Sequence, residues 1–143
     1  MKIKIQKLTT SATIPTRGSS SAAGYDLYAD VDTMQIKPGE TVKVPTGLAM
    51  EIPEGYFGGI FARSGLSTKE GLRPANCVGV VDSDYRGPIM VALHNDSDVV
   101  REVTPQEKIA QLVVLPYLAV EFEEAEELEE TKRGAGGFGS TGK

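Results

Sequence analysis

The 143-residue chain has one cysteine, Cys77, one histidine, His94, and no tryptophan. A lone cysteine cannot close an intrachain disulfide, and with a single histidine there is no Cys/His set for a structural zinc site. Ser-His-Asp or Cys-His catalysis would have to run through His94. That residue sits in the alternating run PIMVALHN and reads as a strand residue with a satisfied hydrogen bond. No apolar run approaches the roughly 20 residues of a membrane helix. The opening MKIKIQK lacks the apolar core of a signal peptide. The expectation is a protein of the reducing cytoplasm with no membrane partner.

Hydrophobic residues at 40% and charged residues at 24% are ordinary for a folded globular protein, and the length suits one core. The net charge of −5 is unevenly spread. The run EFEEAEELEE at 121–130 holds seven of the 20 acids and no base, which leaves 15 bases against 13 acids elsewhere. A mildly basic body does not coat nucleic acid, which calls for a broad Lys/Arg excess, but it admits small anionic ligands. Like charges at i,i+4 and few apolar residues make 121–130 a solvated strand end or linker, not a helix.

Apolar residues recur with period two in Lys2–Gln6, Thr41–Val44, Tyr56–Phe61, Pro88–Leu93 and Ile109–Val114, the signature of strands. Turn signals separate them at Lys37-Pro38-Gly39-Glu40, Pro45-Thr46-Gly47, Ile52-Pro53-Glu54-Gly55, Arg86-Gly87-Pro88 and Val103-Thr104-Pro105. Many short strands so punctuated predict an all-β sandwich, jelly roll or barrel. Ser67–Gly71 is the one short helix candidate beyond the Glu-rich run. Residues 131–143 carry five glycines in thirteen positions and cannot build a core, so mobility is expected while nothing is bound. A disordered terminus is one reading. The placing of Arg133, Phe138, Ser140 and Thr141 among the glycines favours a functional arm.

Three segments carry possible chemistry. Gly137 to Lys143 matches G-x-x-x-x-G-K, but a P-loop needs a preceding strand and a following helix, so only a local anion nest is retained. Ala62-Arg63-Ser64-Gly65-Leu66-Ser67 is either an ordinary turn or a second phosphate site at a helix start. In Gly79-Val-Val-Asp82-Ser-Asp84-Tyr85-Arg86-Gly87, an apolar strand NCVGVV runs into two acids that would share a face if the strand continued. They either cap a hairpin or supply a general base or metal-water ligand walled by Tyr85. Asp26, within AGYDLY, needs a partner if buried.

Taken together these segments resemble the trimeric dUTP diphosphatase (dUTPase) family. Five family segments occur in order: AGYDLY (Ala23–Tyr28), RSGLS (Arg63–Ser67), NCVGVVDSDYRG (Asn76–Gly87), EKIAQL (Glu107–Leu112) and RGAGGFGSTG (Arg133–Gly142). The resemblance implies a jelly-roll β domain over 1–130 and a C-terminal arm over 131–143. It also implies a homotrimer with shared active sites and Mg²⁺-dependent hydrolysis of dUTP to dUMP and pyrophosphate, limiting uracil in DNA and supplying dUMP. By the same resemblance Asp82 is the base for the attacking water, Tyr85 lies under the deoxyribose, and Asn76, Gly79, Val81 and Met90 hold the nucleoside. Arg63, Ser64, Gly65 and Gln111 match phosphate-holding positions, and Asp26 matches the acid that orients metal-bound water. In the arm, Phe138 would stack on uracil while Arg133, Ser140 and Thr141 hold the γ-phosphate, with Gly139 a further substrate-binding position.

Two departures from the family pattern stand out, Pro88 after Arg86-Gly87 and Gln106-Glu107-Lys108 in place of Gly-acid-Arg before IAQ. Neither is expected to touch a reactive group. A dCTP deaminase, which resembles this fold, and a β-rich trimeric binding module or regulator are the rival readings.

Overall fold

The computed structural model describes residues 1–142, so Lys143, the last residue of the expected arm and of the G-x-x-x-x-G-K match, lies outside the described residues. The elements in chain order are β1 Lys4–Lys7, β2 Tyr25–Tyr28, β3 Met34–Ile36, β4 Thr41–Glu51, β5 Tyr56–Phe61, a helical turn Leu66–Glu70, β6 Leu72–Pro74, β7 Gly79–Val81, β8 Ile89–Asn95, β9 Arg101–Val103 and β10 Lys108–Pro116. One four-stranded sheet has the order β1-β4-β8-β6, the other β2-β10-β5-β7, and β3 pairs with β9. All pairings are antiparallel, which gives the expected all-β jelly-roll sandwich.

The period-two pattern builds the core directly. On β8 Ile89, Val91, Leu93 and Asn95 are buried, while Met90 stays on the outer face. Leu27, Ile36, Val44 and Val103 meet them between the sheets with no exposure. Asn95 is polar yet fully buried, and all its groups are used. Its Nδ2 donates to the Ile36 and Val99 carbonyls at 2.8 Å, and its Oδ1 accepts from the Ser97 amide and hydroxyl. His94 is the strand residue expected, with Nδ1 2.9 Å from the Thr41 hydroxyl and Nε2 3.4 Å from Asp96 Oδ1.

Two local expectations are corrected. Pro45-Thr46-Gly47 is not a turn between strands but a bulge inside β4, since Pro45 faces Met90 and Leu48 faces Ile89 on β8. Gly47 takes φ +67°, and the buried Thr46 hydroxyl donates to the Ile89 carbonyl at 2.7 Å, so turn chemistry serves to kink a continuing strand. Likewise NCVGVV is strand only from Gly79. Cys77, at φ +59°, is the centre of a γ-turn closed by the Val78 amide on the Asn76 carbonyl at 2.6 Å. Asp82 and Asp84 fall beyond β7 in the next turn, so the shared-face argument for them does not hold.

The expected short helix is present one residue early and ends at Gly71 with φ +71°. Residues 117–142 form no strand or helix, and Leu118, Phe122, Leu128 and Phe138 stand exposed.

A candidate active site in two halves

The first half is a cleft of about 330 Å³ between β7, β8 and the turn that joins them. Asn76, Gly79, Val81, Asp82, Tyr85 and Met90 all line it. Its back wall is the β5–β7 pairing, where Gly79 faces Ile60. A Cβ on Gly79 would come within 3.2 Å of the Ile60 Cβ and 3.4 Å of Asn76 Nδ2, so the glycine allows the γ-turn to pack against the strand. Tyr85 is fixed by its hydroxyl, which donates to the Pro88 carbonyl at 2.9 Å, and by its ring, which lies against Gly87. A side chain at 87 would begin 2.5 Å from that hydroxyl.

Asp82 is exposed on the ridge at the mouth of this cleft. On its other side lies a wider groove of about 820 Å³ bordered by Lys2, Lys4, Arg86, Glu51 and Glu54. The carboxylate therefore sits between a largely apolar slot and a charged one. Sequence reading missed Lys43, which also lines the slot. Its signal was its pairing parity: on β4 it faces Ala92, two residues from Met90.

The second half is a cluster of charges at the far end of β5. Asp26 on β2 has a side chain only 15% exposed. Its Oδ1 accepts from Arg63 Nε at 2.9 Å and its Oδ2 from Lys108 Nζ at 2.9 Å. Arg63 also donates through one terminal nitrogen to the Lys108 carbonyl at 3.3 Å. The hydrogen bond that Lys108 donates to Asp26, and then that carboxylate's charge, raises the Lys108 ammonium above its ordinary value. Gln111 faces Asp26 across the β10–β2 pairing, donates from Nε2 to the Ala62 carbonyl at 2.8 Å and lies over Gly24, where a side chain would overlap its Oε1. Ser64 and Gly65 follow at the exposed start of the helical turn, where the Ser64 carbonyl accepts from Thr68 Oγ1 at 2.7 Å.

Lys108 corrects the expectation that the departures from the family pattern touch no reactive group. In a regular strand Lys108 and Gln111, three residues apart, point to opposite faces. The register shift between Lys108 and Ala110 resets the parity: Ile109 and Ala110 are both buried, and Lys108 and Gln111 both turn to the Asp26 face. Gln106, where glycine is usual, takes φ +63° and is tied by its side chain to Thr13 and the Ser11 carbonyl.

The two halves do not meet within one chain. In the β5–β7 pairing Val81 faces Gly58, which puts Asp82 beside the start of β5, whereas Arg63 lies past its end. The span from Phe57 to Arg63 is roughly 20 Å at about 3.3 Å per residue. Residues 131–142 of the arm join neither half. Arg133 Nε donates to the Gly136 carbonyl at 2.8 Å, Ser140 N to the Gly137 carbonyl at 3.1 Å, and Phe138 projects fully exposed beside Gly139 at φ +88°. Thr141 is exposed as well.

Comparison with known proteins agrees with this architecture. The dUTPase family model matches residues 10–142. The chain is similar to the deoxyuridine 5'-triphosphate nucleotidohydrolase of Nautilia profundicola, with 50% identity over 143 residues and full coverage of both chains. Among solved structures it is similar to a mutant dUTPase of Staphylococcus bacteriophage 80alpha with dUpNHpp, at TM-score 0.90 and 29% identity, covering 99% of this chain and 98% of that one. A mutant dUTPase of phage phi11 of S. aureus, described for its coordination of a structural Mg(II) ion, aligns at TM-score 0.80 and 28% identity over 91% of this chain and all of that one. Together with these matches, the β-sandwich defines a nucleotide hydrolase. Within that class the chain belongs to the dUTPase family.

Proposed function

We propose that the chain hydrolyses dUTP to dUMP and pyrophosphate, with Asp82 as general base and with each active site assembled from neighbouring copies of a homotrimer. The observation that carries this reading is the convergence of five expected nucleoside-site residues, Asn76, Gly79, Val81, Tyr85 and Met90, on one cleft with the Asp82 carboxylate at its mouth. The deoxynucleoside enters the cleft, Asn76 and the backbone from Gly79 read the base edge, and the Tyr85 ring bounds the sugar. Asp82 accepts a proton from a water whose oxygen bonds to the α-phosphorus. The bond from that phosphorus to the bridging oxygen breaks, and pyrophosphate leaves with the electron pair.

Arg63, Ser64, Gly65 and Gln111 serve the phosphates, but of a different copy's site. The span of roughly 20 Å set by about 3.3 Å per strand residue is too long for one triphosphate to reach both Asp82 and Arg63 of a single chain. A second chain that sets its charge cluster against the groove beside Asp82 removes the distance, and closed threefold symmetry repeats the arrangement. The arm then closes the site, with Phe138 on the base and Arg133, Gly139, Ser140 and Thr141 on the phosphates, excluding bulk water.

The donor set suits Mg²⁺ carried by the substrate. Among the described residues no three His, Cys, Asp or Glu side chains gather as a metal site. Each Asp26 oxygen keeps a lone pair beside its ion pair, enough to accept from a metal-bound water. When bound, the metal would neutralise phosphate charge. No helix is long and apolar enough to cross a membrane among the described residues. Incubation with dUTP and separately with dCTP tests the assignment: pyrophosphate and dUMP from dUTP are expected, whereas ammonia release from dCTP would replace it with the deaminase reading.

A further inference from the structure

Among the charged groups of the second half, Lys108 has been given no part in the reaction. It is not a bystander in the geometry. The Asp26 carboxylate is gripped from both sides, Arg63 on Oδ1 and Lys108 on Oδ2, each at 2.9 Å. Lys108 is held there by the bulge that turns it inward and by the Tyr28 ring, whose centroid lies 6.0 Å from the ammonium. Arg63 keeps its side chain 35% open to solvent, against 42% for Lys108, but it holds Asp26 only through Nε, so its far nitrogens lie free of the carboxylate.

Arg63 serves a phosphate either by loosening from Asp26 or by dividing its charge between that phosphate and a carboxylate that is mostly buried. Left with no partner, that carboxylate would resist the change, because an unpaired charge in a poorly solvated place is costly. On these grounds we infer that Lys108 is a positioning residue for triphosphate binding: it keeps Asp26 neutralised, so that Arg63 lends its charge to a phosphate without stranding the acid. This rests on the dUTP-hydrolase reading and extends it to a residue that would otherwise be a tolerated replacement of arginine. The role needs a cation of lysine's reach and does not need lysine itself.

The test is binding of dUpNHpp and of dUMP to the full chain and to Lys108→Met and Lys108→Arg, with kcat and KM for dUTP alongside. Loss of one hydrogen bond between charged groups should weaken dUpNHpp and raise KM by about tenfold. Binding of dUMP should stay within about twofold, because the nucleoside cleft is untouched, and kcat should fall by less than about threefold. Lys108→Arg should restore analogue binding. Unchanged dUpNHpp affinity in Lys108→Met, an equal loss for dUMP, or no rescue by arginine would each overturn the role. If Lys108→Met does not fold, Lys108→Gln carries the same comparison. A wild-type chain that binds dUpNHpp but leaves dUTP intact would refute the hydrolase reading while leaving the Lys108 comparison readable.

Discussion

The two halves of the site are built on opposite principles. The nucleoside half is a hairpin whose shape comes from backbone: a γ-turn at Cys77, a glycine at 79 pressed to β5, a tyrosine ring laid on Gly87. Its acid, Asp82, is exposed. The phosphate half is made of side chains locked to one another, a carboxylate between two cations with a glutamine laid across Gly24. The first is an open mould awaiting a ligand. The second is a cluster whose charges are already paired with one another. On the proposed function, recognition of the nucleoside would be preformed, whereas recognition of the triphosphate would draw on a cluster whose charges are already paired.

Substitutions should separate these principles. The largest effect is expected for Asp82→Asn, which keeps the shape of the mould and removes only the proton acceptor. Turnover should drop by at least about a thousandfold, near the upper range for a general base, with dUpNHpp binding retained. Near-normal turnover in a single-turnover assay would remove Asp82 from the role. Next comes Phe138→Ala, which should lower kcat/KM for dUTP by about tenfold to a hundredfold if the ring stacks on the base, at unchanged melting temperature. A shifted melting curve would mean the ring packs on the body.

A paired test addresses the halves directly. Gly87→Ala drives a Cβ to 2.5 Å from the Tyr85 hydroxyl and should weaken dUMP and dUpNHpp alike. Gly24→Ala drives a Cβ to 2.1 Å from the Gln111 Oε1 and 3.2 Å from its Cβ, so it displaces that side chain and should weaken dUpNHpp by about tenfold, one lost charged hydrogen bond, and dUMP hardly at all. Titration calorimetry with both ligands would expose any departure from that pattern.

The smallest effect belongs to a residue in neither half. Hydrogen bonds from Ser11 and then Thr9 hold the Asp30 carboxyl below its ordinary value. A depressed acid adds stability above its unfolded pKa, and that stability is lost as pH falls through the folded value. Asp30→Asn should therefore destabilise at neutral pH and flatten the acid-side decline, which melting curves from pH 7 down to pH 3 would check.

How much of this was legible follows from the same contrast. Strands with clean alternation lie where expected, as on β8, where the Pro88–Leu93 run becomes Ile89–Asn95 with every second residue buried. Alternation fails where a bulge intervenes. Pro45-Thr46-Gly47 carries turn residues but kinks a strand, because tertiary pairing on both sides outweighs the local signal. The shift at Ile109 likewise hid Lys108, since period-two counting sends it away from Gln111. Residues of the nucleoside half could be gathered from contiguous sequence, because a single hairpin supplies nearly all of them. The distance between Asp82 and Arg63 could not, because it depends on which strands pair on either flank of β5.

Mixing two dead variants asks most directly whether one chain's Asp82 works with another chain's Arg63. Asp82→Asn and Arg63→Ala chains, each inactive alone, would be co-expressed in equal amounts and the mixed assemblies purified by two tags. If sites form between copies of a homotrimer, about one site in three of each purified mixed trimer joins an intact Asp82 to an intact Arg63, and that share of dUTP turnover should return. A mixture as inactive as its components would show that both residues must come from the same chain, and the shared-site assembly would be wrong.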